Sequence, residues 1–369
     1  MSAQIRAVIA ASPPPCGAST DAQRSAGAPE AQKIAIAIPD GTRPVLVAEA
    51  LAALAEWLTG DVTVVVGLGL HRKMRPEELP ESPWPIVQHD PDDTVRTAVI
   101  DGIPGGVGRA IAQADVVLGI GIVEPHQYAG FSGGHKAVAV GCGARATLDA
   151  LHHRDRVIAP GVEVGRLEGN PFRAAVDGLG RAARCTWTLL QTGAGAEARW
   201  FAGEPIDTLR RAAASLDCWE AVDGLYDAAI LRVPATKAVN FYQASRAATY
   251  LGLSARPPLS PGATLFLEAR CPEGMGEGSG ELAFARVLGA GEAPWGHLLD
   301  GPAPTGAGTQ RAVVLALLLR RFNLVICGVD DPRPFQAVGL AATTAPAEAV
   351  APAGALDVRD PFGRIPQGG

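Results

Sequence analysis

Residues 116–153 read VVLGIGIVEPHQYAGFSGGHKAVAVGCGARATLDALHH, and the rest of the chain is organised around them. The run 116–123 is apolar, largely β-branched and uncharged, which predicts a strand buried on both faces. Glu124-Pro125-His126 ends it, because proline has no N–H to continue the pairing, so His126 falls just beyond the strand's carboxyl end. In Phe131-Ser132-Gly133-Gly134 the glycines permit backbone that aims N–H groups at an anion, and Lys136 follows at once. By itself this turn also reads as a generic phosphate nest. From Arg145 onward the spacing of Leu148 and Leu151 predicts a short helix carrying His152 and His153 on its last turn. Of the two, only His152 shares the face of Leu148, at i, i+4. The stretch thus concentrates four of the seven histidines and one of only four lysines, Lys33, Lys73, Lys136 and Lys237, against twenty-eight arginines.

Towards the amino terminus the pattern alternates. Residues 33–39 (KIAIAIP) and 62–70 (VTVVVGLGL) read as strands, and 44–58 between them reads as an Ala/Leu-rich helix with proline in its first turn. A helix near 76–79, a strand at 86–88, an acidic turn at 90–93 and a helix near 108–114 lead back to the central strand. Gly105-Gly106-Val107-Gly108 reads as a turn, not a nucleotide fingerprint, since no strand precedes it. Residues 1–30, with three consecutive prolines and little periodicity, read as an extended or poorly ordered lead-in. Strand-helix alternation implies a parallel sheet with helices on both faces, and ligands bind beyond the carboxyl ends of its strands. Three such ends carry reactive side chains: Asp40, Thr42 and Arg43 after the first strand, His71 after the second, and Glu124 with His126 after the central one.

Past residue 222 a second unit begins, with strands near 227–233, 263–270 and 323–329 and a helix at 309–322. The expected fold class is therefore α/β, with two α/β domains built on mainly parallel sheets and the active site in the cleft between them. The expected domains are 1–222 and 223–351, with the tail 352–369 packing back on the first.

Composition narrows the function. A length of 369 residues with 47% hydrophobic and 19% charged residues supports a core in each domain. A net charge of −6 argues against nucleic acid or an anionic membrane as partner. No apolar run reaches spanning length and the first residues do not form a secretory signal, so a cytoplasmic protein is expected. Six cysteines without a CxxC pair are expected to be reduced small hydrophobes.

The motif EPHQYAGFSGGHK, residues 124–136, resembles the signature of the nickel-dependent lactate racemase family, in which a histidine, AGFSGG and a lysine ten residues after that histidine recur. DGTRP (40–44) and GLGLHRKM (67–74) resemble two further family elements in the same order. TKAVNFYQASR (236–246) is similar to the family's P-K-D-x-N-x-Y-Q-x-x-K, with Thr236, Ala238 and Arg246 departing from it. The resemblance implies a nickel-pincer nucleotide, pyridinium-3-thioamide-5-thiocarboxylate mononucleotide nickel, attached to Lys136, with His152 as the protein's nickel ligand. It assigns His71 and His126 as catalytic bases. Asp40, Thr42, Ser132, Gly133 and Gly134 would contact the cofactor, and Arg43, Tyr242, Gln243 and Arg246 a small 2-hydroxy acid. Separate cofactor-building and nickel-inserting enzymes would be partners.

Inverting C2 of a 2-hydroxy acid by hydride transfer suits two imidazoles that exchange the hydroxyl proton, since histidine titrates near neutrality. Two other classes remain open at this stage: a metal-dependent hydrolase using His71, His126 and His152, and a non-catalytic homologue that binds the nucleotide. His89, His135, His153 and His297 read as surface or loop residues.

Overall fold

Alternating isoleucine and alanine along the strand Lys33–Pro39 decide what each face of the first sheet can carry. Ile34, Ile36 and Ile38 pack with Leu51 and Leu54 of the helix Val47–Leu54, while Ala35 and Ala37 face Val138 and Cys142, as period-two side chains require. Small residues on that second face leave room for the segment that follows Lys136. The computed structural model describes residues 2–15, 32–41, 43–291, 293–306 and 308–368. They divide into two units: Met1–Glu124, Phe131–Leu151 and Phe172–Leu216 in the first, and Pro125–Gly130, His152–Pro171 and Asp217–Gly369 in the second.

The first unit's sheet runs in the order Arg199–Gly203, Cys185–Thr192, Val116–Ile122, Lys33–Pro39, Asp61–Gly67, Ile86–Gln88. Every neighbouring pair is parallel except the edge pair Arg199–Gly203 with Cys185–Thr192. Val116–Ile122 is buried at every position, as its unbroken apolar run predicts.

Two expectations for this unit are corrected. Residues 2–11 are not an extended lead-in but a helix, Ser2–Ala11, because Ile5 and Ile9 stand one turn apart and are both fully buried in the core. Each such side chain contributes roughly 1.5–3 kcal/mol, and the Trp187 indole N–H donates to Ser12 O at 2.9 Å beyond the helix end. Residues 16–31, the remainder of that stretch, lie outside the described residues. Gly106–Gly108 is a short strand, not a turn, and pairs antiparallel with Thr94–Arg96. Its glycines fit close neighbours: a Cβ on Gly106 would lie 2.8 Å from Ala144 Cβ.

The second unit holds a five-stranded, wholly parallel sheet in the order Ala341–Ala342, Asn323–Cys327, Leu259–Glu268, Tyr226–Arg232, Leu356–Val358. The helices Phe241–Gly252 and Thr309–Leu319 pack into its core through Ala244, Ala247 and Leu251 and through Ala312, Val313 and Leu315. The tail differs from expectation. Leu356–Val358 pairs with Tyr226–Arg232, and Ile365–Gly368 pairs with Trp219–Val222. Val358 and Ile365 are buried in the second core, which is what holds the tail there. Residues 125–130 and 152–171 also belong to this unit, through contacts that a linear reading cannot foresee. The five cysteines among the described residues are buried and unpaired.

Candidate functional site

Asp40 follows the strand Lys33–Pro39 and His71 follows Asp61–Gly67, and the parallel pairing of these strands brings both ends to the same level. His71 Nδ1 lies 2.6 Å from Asp40 Oδ2. A carboxylate only accepts, so Nδ1 carries the hydrogen and the Nε2 lone pair of the exposed imidazole is left facing outward. Directly beneath runs Ala137–Gly141, a single π-helical turn with Lys136 at its amino end. Such turns cluster at functional positions because the extra residue displaces side chains. Gly67 and Gly141 allow the turn to sit on the end of Asp61–Gly67: a Cβ on Gly67 would lie 3.0 Å from Gly141 Cα, and Gly69 N–H donates to Gly141 O at 2.8 Å. Backbone contact therefore couples the His71 loop to the Lys136 turn.

The turn preceding Lys136 is held from below. Gly133 and Gly134 have φ of 88° and 58°, a left-handed pair, and side chains there would press on Val123 and Leu209. The Ser132 hydroxyl donates to Ile122 O at 2.6 Å and accepts from Glu124 N–H at 3.0 Å, so it fastens the loop to the strand end. His135, expected at the surface or in a loop, lies in the turn but is only 1% exposed. Its Nδ1 lies 2.9 Å from Asp177 Oδ1 and its Nε2 3.2 Å from Cys185 O. Arg173 grips the same Asp177 with both Nε and Nη2, and its Nη1 reaches Gly133 O at 3.4 Å. His89 is likewise buried, at 3%, with Nε2 2.9 Å from Gly143 O, and burial lowers its pKa. The sequence neighbours of these histidines, Gln88 and Asp90 for His89 and Gly134 and Lys136 for His135, gave no signal that a distant carbonyl or carboxylate would be waiting.

Burial alone would raise the Asp177 pKa, but hydrogen bonds from His135 and Arg173 hold its carboxyl below the usual range. The stability this contributes is complete above the ordinary aspartate pKa and fades as pH falls through the depressed one. Asp177→Asn is expected to lower unfolding free energy by about 3–5 kcal/mol, since it removes the carboxylate that pairs the buried Arg173 guanidinium. The denaturant midpoint at pH 7 measures this, and an unchanged midpoint would refute it.

The 40–44 loop is secured by a residue that sequence reasoning missed. Fully buried Gln191 accepts from Leu46 N–H at 2.9 Å and donates to Pro44 O at 3.0 Å. This clamp replaces the expected helical first turn, and the helix begins only at Val47. Arg43, half-buried, lies 3.6 Å from Glu124. Thr42 lies outside the described residues.

In the second unit, His126 Nδ1 accepts from the N–H groups of Tyr128 at 3.3 Å and Ala129 at 3.2 Å. In the neutral ring its Nε2 therefore carries the hydrogen, the reverse of His71. The Tyr128 ring stands edge-on to both His126 and His152, with centroids 5.8 and 6.0 Å away. The helix Arg145–Leu151 stops before His152, two residues short of expectation. His153 caps the next helix, Arg154–Val157, by accepting from Asp155 N–H. Of the two adjacent histidines, only His152 is thus shown gathered with His126 about Tyr128. Asn240 caps Phe241–Gly252 and orders its first turn. On that helix Arg246 donates to Gln243 Oε1 at 3.1 Å and to the Tyr250 hydroxyl at 2.9 Å, with Tyr242 one turn before. Among the described residues no group of three or more His, Cys, Asp or Glu is placed to hold a metal ion. At least three protein donors are what a hydrolytic zinc site uses. No helix of the described residues is long and apolar enough to cross a membrane.

Residues 18–165, which contain the 40–44 loop, His71, His126, Lys136 and His152, match the family model of the lactate racemase N-terminal domain. This stretch carries the chain's likeness to lactate racemases. The lactate racemase of Thermoanaerobacterium thermosaccharolyticum is 29% identical over 158 residues, 38% of this chain and 37% of that protein. That of Lactiplantibacillus plantarum is 27% identical over 139 residues, 35% and 33% of the two chains. These matches span about a third of each relative's length. The fold likeness extends much further. The lactate racemase apoprotein of T. thermosaccharolyticum superposes with a TM-score of 0.81 at 18% identity, covering 99% of this chain and 92% of its own. A Thermotoga maritima protein does so with 0.73 at 15%, covering 100% and 98%.

Proposed function

We propose that this chain is a member of the lactate racemase family, a racemase or epimerase that inverts C2 of a 2-hydroxy acid with a lysine-tethered nickel-pincer nucleotide. The observation that carries the reading is the Asp40–His71 pair at 2.6 Å, seated by backbone contact on the turn that Lys136 opens. A carboxylate-oriented imidazole is a proton-transfer group, and a half-buried primary amine at the start of that turn is a point of attachment.

The residues present fit the cofactor. Gly133 and Gly134 hold the left-handed backbone of the turn before Lys136, against Val123 and Leu209, where a Cβ would not fit. Lys136 offers the only amine in the turn, and His152 offers a half-buried imidazole, a donor type suited to nickel. Lys136 would hold the nucleotide, and His152 would ligate the metal. When bound, the group supplies a reversible hydride acceptor.

The chain's own residues handle proton and carboxylate. His71 Nε2 accepts the substrate hydroxyl proton, and Asp40 stabilises the imidazolium that results. His126 presents its Nε2 to the hydroxyl or carbonyl oxygen as the second of the two imidazoles. Arg43 and Arg246, with Tyr242 and Gln243, supply carboxylate and hydroxyl contacts, and guanidinium–carboxylate pairing is strong in a partly buried site. Enzymes that build the nucleotide and insert nickel are the required partners.

The deciding experiment uses cofactor-loaded protein and a 2-hydroxy acid deuterated at C2. Deuterium retained at C2 of the inverted product supports hydride transfer, whereas exchange with water means deprotonation and overturns the mechanism. Hydrolysis without inversion would favour the metal-hydrolase reading instead. His152→Ala is expected to keep the organic adduct on Lys136 but to lose nickel, read by elemental analysis beside intact mass. Full nickel occupancy in that variant would contradict the assignment.

A further inference from the structure

Arg311 has no part in the mechanism above, yet its setting is costly. It stands in the first turn of Thr309–Leu319 and is only 3% exposed. Its Nη2 donates to Thr249 Oγ1 at 2.7 Å and its Nε reaches Ser245 Oγ at 3.5 Å, both on the facing helix Phe241–Gly252. The other groups that act on it are the phenols of Tyr128, Tyr242 and Tyr250 and the guanidinium of Arg246. No ion pair joins Arg311 to a carboxylate among the described residues. Removing a guanidinium from water without an anion costs several kcal/mol, and a second cation nearby adds to that. The phenols supply no charge, because burial pushes Tyr128 up to about 12 and raises Tyr242 as well.

For the fold alone the guanidinium supplies two hydroxyl contacts to the facing helix. A neutral side chain would bridge Ser245 and Thr249 without the desolvation cost, whereas a binding site gains a preformed and desolvated counter-charge. Arg246, the group assigned above to the substrate's C1 carboxylate, is among the neighbours of Arg311, as is Tyr128, against which His126 and His152 stand. We propose that Arg311, backed by Thr249 and Ser245, receives a second anionic group at the far end of the substrate, so that the site takes 2-hydroxydicarboxylates in preference to 2-hydroxymonocarboxylates. This rests on the reading of the chain as an enzyme of 2-hydroxy acids. It deepens that reading by naming the class.

The test is binding to the full chain without cofactor, so that it does not depend on turnover. Calorimetric titration compares malate with 2-hydroxybutyrate, four-carbon acids that differ in the terminal carboxylate, with inorganic phosphate as a third probe. Malate should bind at least tenfold more tightly, about 1.4 kcal/mol. Arg311→Met should erase that preference while leaving 2-hydroxybutyrate within about twofold of the wild type. Should Arg311→Met fail to fold, Arg311→Gln keeps a donor for Thr249, removes the charge and carries the same comparison. Equal binding of the two acids by the wild-type protein overturns the proposal. So does a variant that weakens both acids alike, which would make Arg311 a support for the fold or for the first carboxylate. Phosphate that binds as tightly as malate and depends on Arg311 would also overturn it, by marking a general phosphate site. Retained malate preference with no racemisation in loaded protein would instead count against the racemase reading alone.

Discussion

Lys136→Ala is expected to remove all covalently attached cofactor from protein produced together with the cofactor-building enzymes, read as complete loss of the adduct mass. The amine is the only primary amine of the 131–141 segment, and what the residue's backbone contributes is independent of it: Lys136 N–H donates to Gly133 O at 3.3 Å whatever the side chain. The turn should therefore survive the substitution, and unfolding free energy should change by less than about 1 kcal/mol, as for most partly exposed positions. Lys237→Ala, in the second unit, is the control and should keep the adduct. An unchanged mass on Lys136→Ala would refute the tether, and loss in both variants would point to a fault in cofactor supply.

What the sequence disclosed and what it withheld divide along the range of the interactions. The unbroken apolar run of Val116–Ile122 and the Ile/Ala alternation of Lys33–Pro39 are local patterns, and each predicts its own burial. The strand ends that carry Asp40 and His71 followed from them, because parallel strands place their carboxyl ends together. The buried roles of His135 and His89 did not follow. Their partners, Asp177 and Gly143, lie 42 and 54 residues away, and nothing local distinguishes a histidine awaiting a partner from one in a loop. The same holds for Gln191, whose clamp on the 40–44 loop spans nearly 150 residues, and for Arg311, one arginine among twenty-eight. The helix Ser2–Ala11 was legible in the spacing of Ile5 and Ile9 but was masked by the irregular composition that follows it.

The second large effect is expected at Asp40, and it tests the inequality of the two imidazoles. In His71 the Asp40 carboxylate fixes hydrogen on Nδ1 and frees Nε2 as a base. In His126 two backbone N–H groups occupy Nδ1, so the neutral ring offers Nε2–H. His126 can remove a proton at Nε2 only if its ring first turns away from those two donors. Asp40→Asn would leave His71 in place but let an amide N–H face Nδ1, which favours the opposite tautomer and leaves the imidazolium without its counter-charge. Racemisation should fall by roughly 10²–10⁴-fold, the range a positioned acid–base group supplies. The covalent adduct and substrate binding should remain, so the loss should fall on kcat rather than KM. His126→Gln keeps an N–H donor where the ring had one, and it should cost less than His71→Gln in the direction that uses His71 as base. In single turnovers from each enantiomer, the Asp40→Asn loss should appear chiefly with one of them. Equal losses from both enantiomers, or an Asp40→Asn enzyme with unaltered kcat, would mean that the Asp40 contact merely anchors His71 and does not set its protonation.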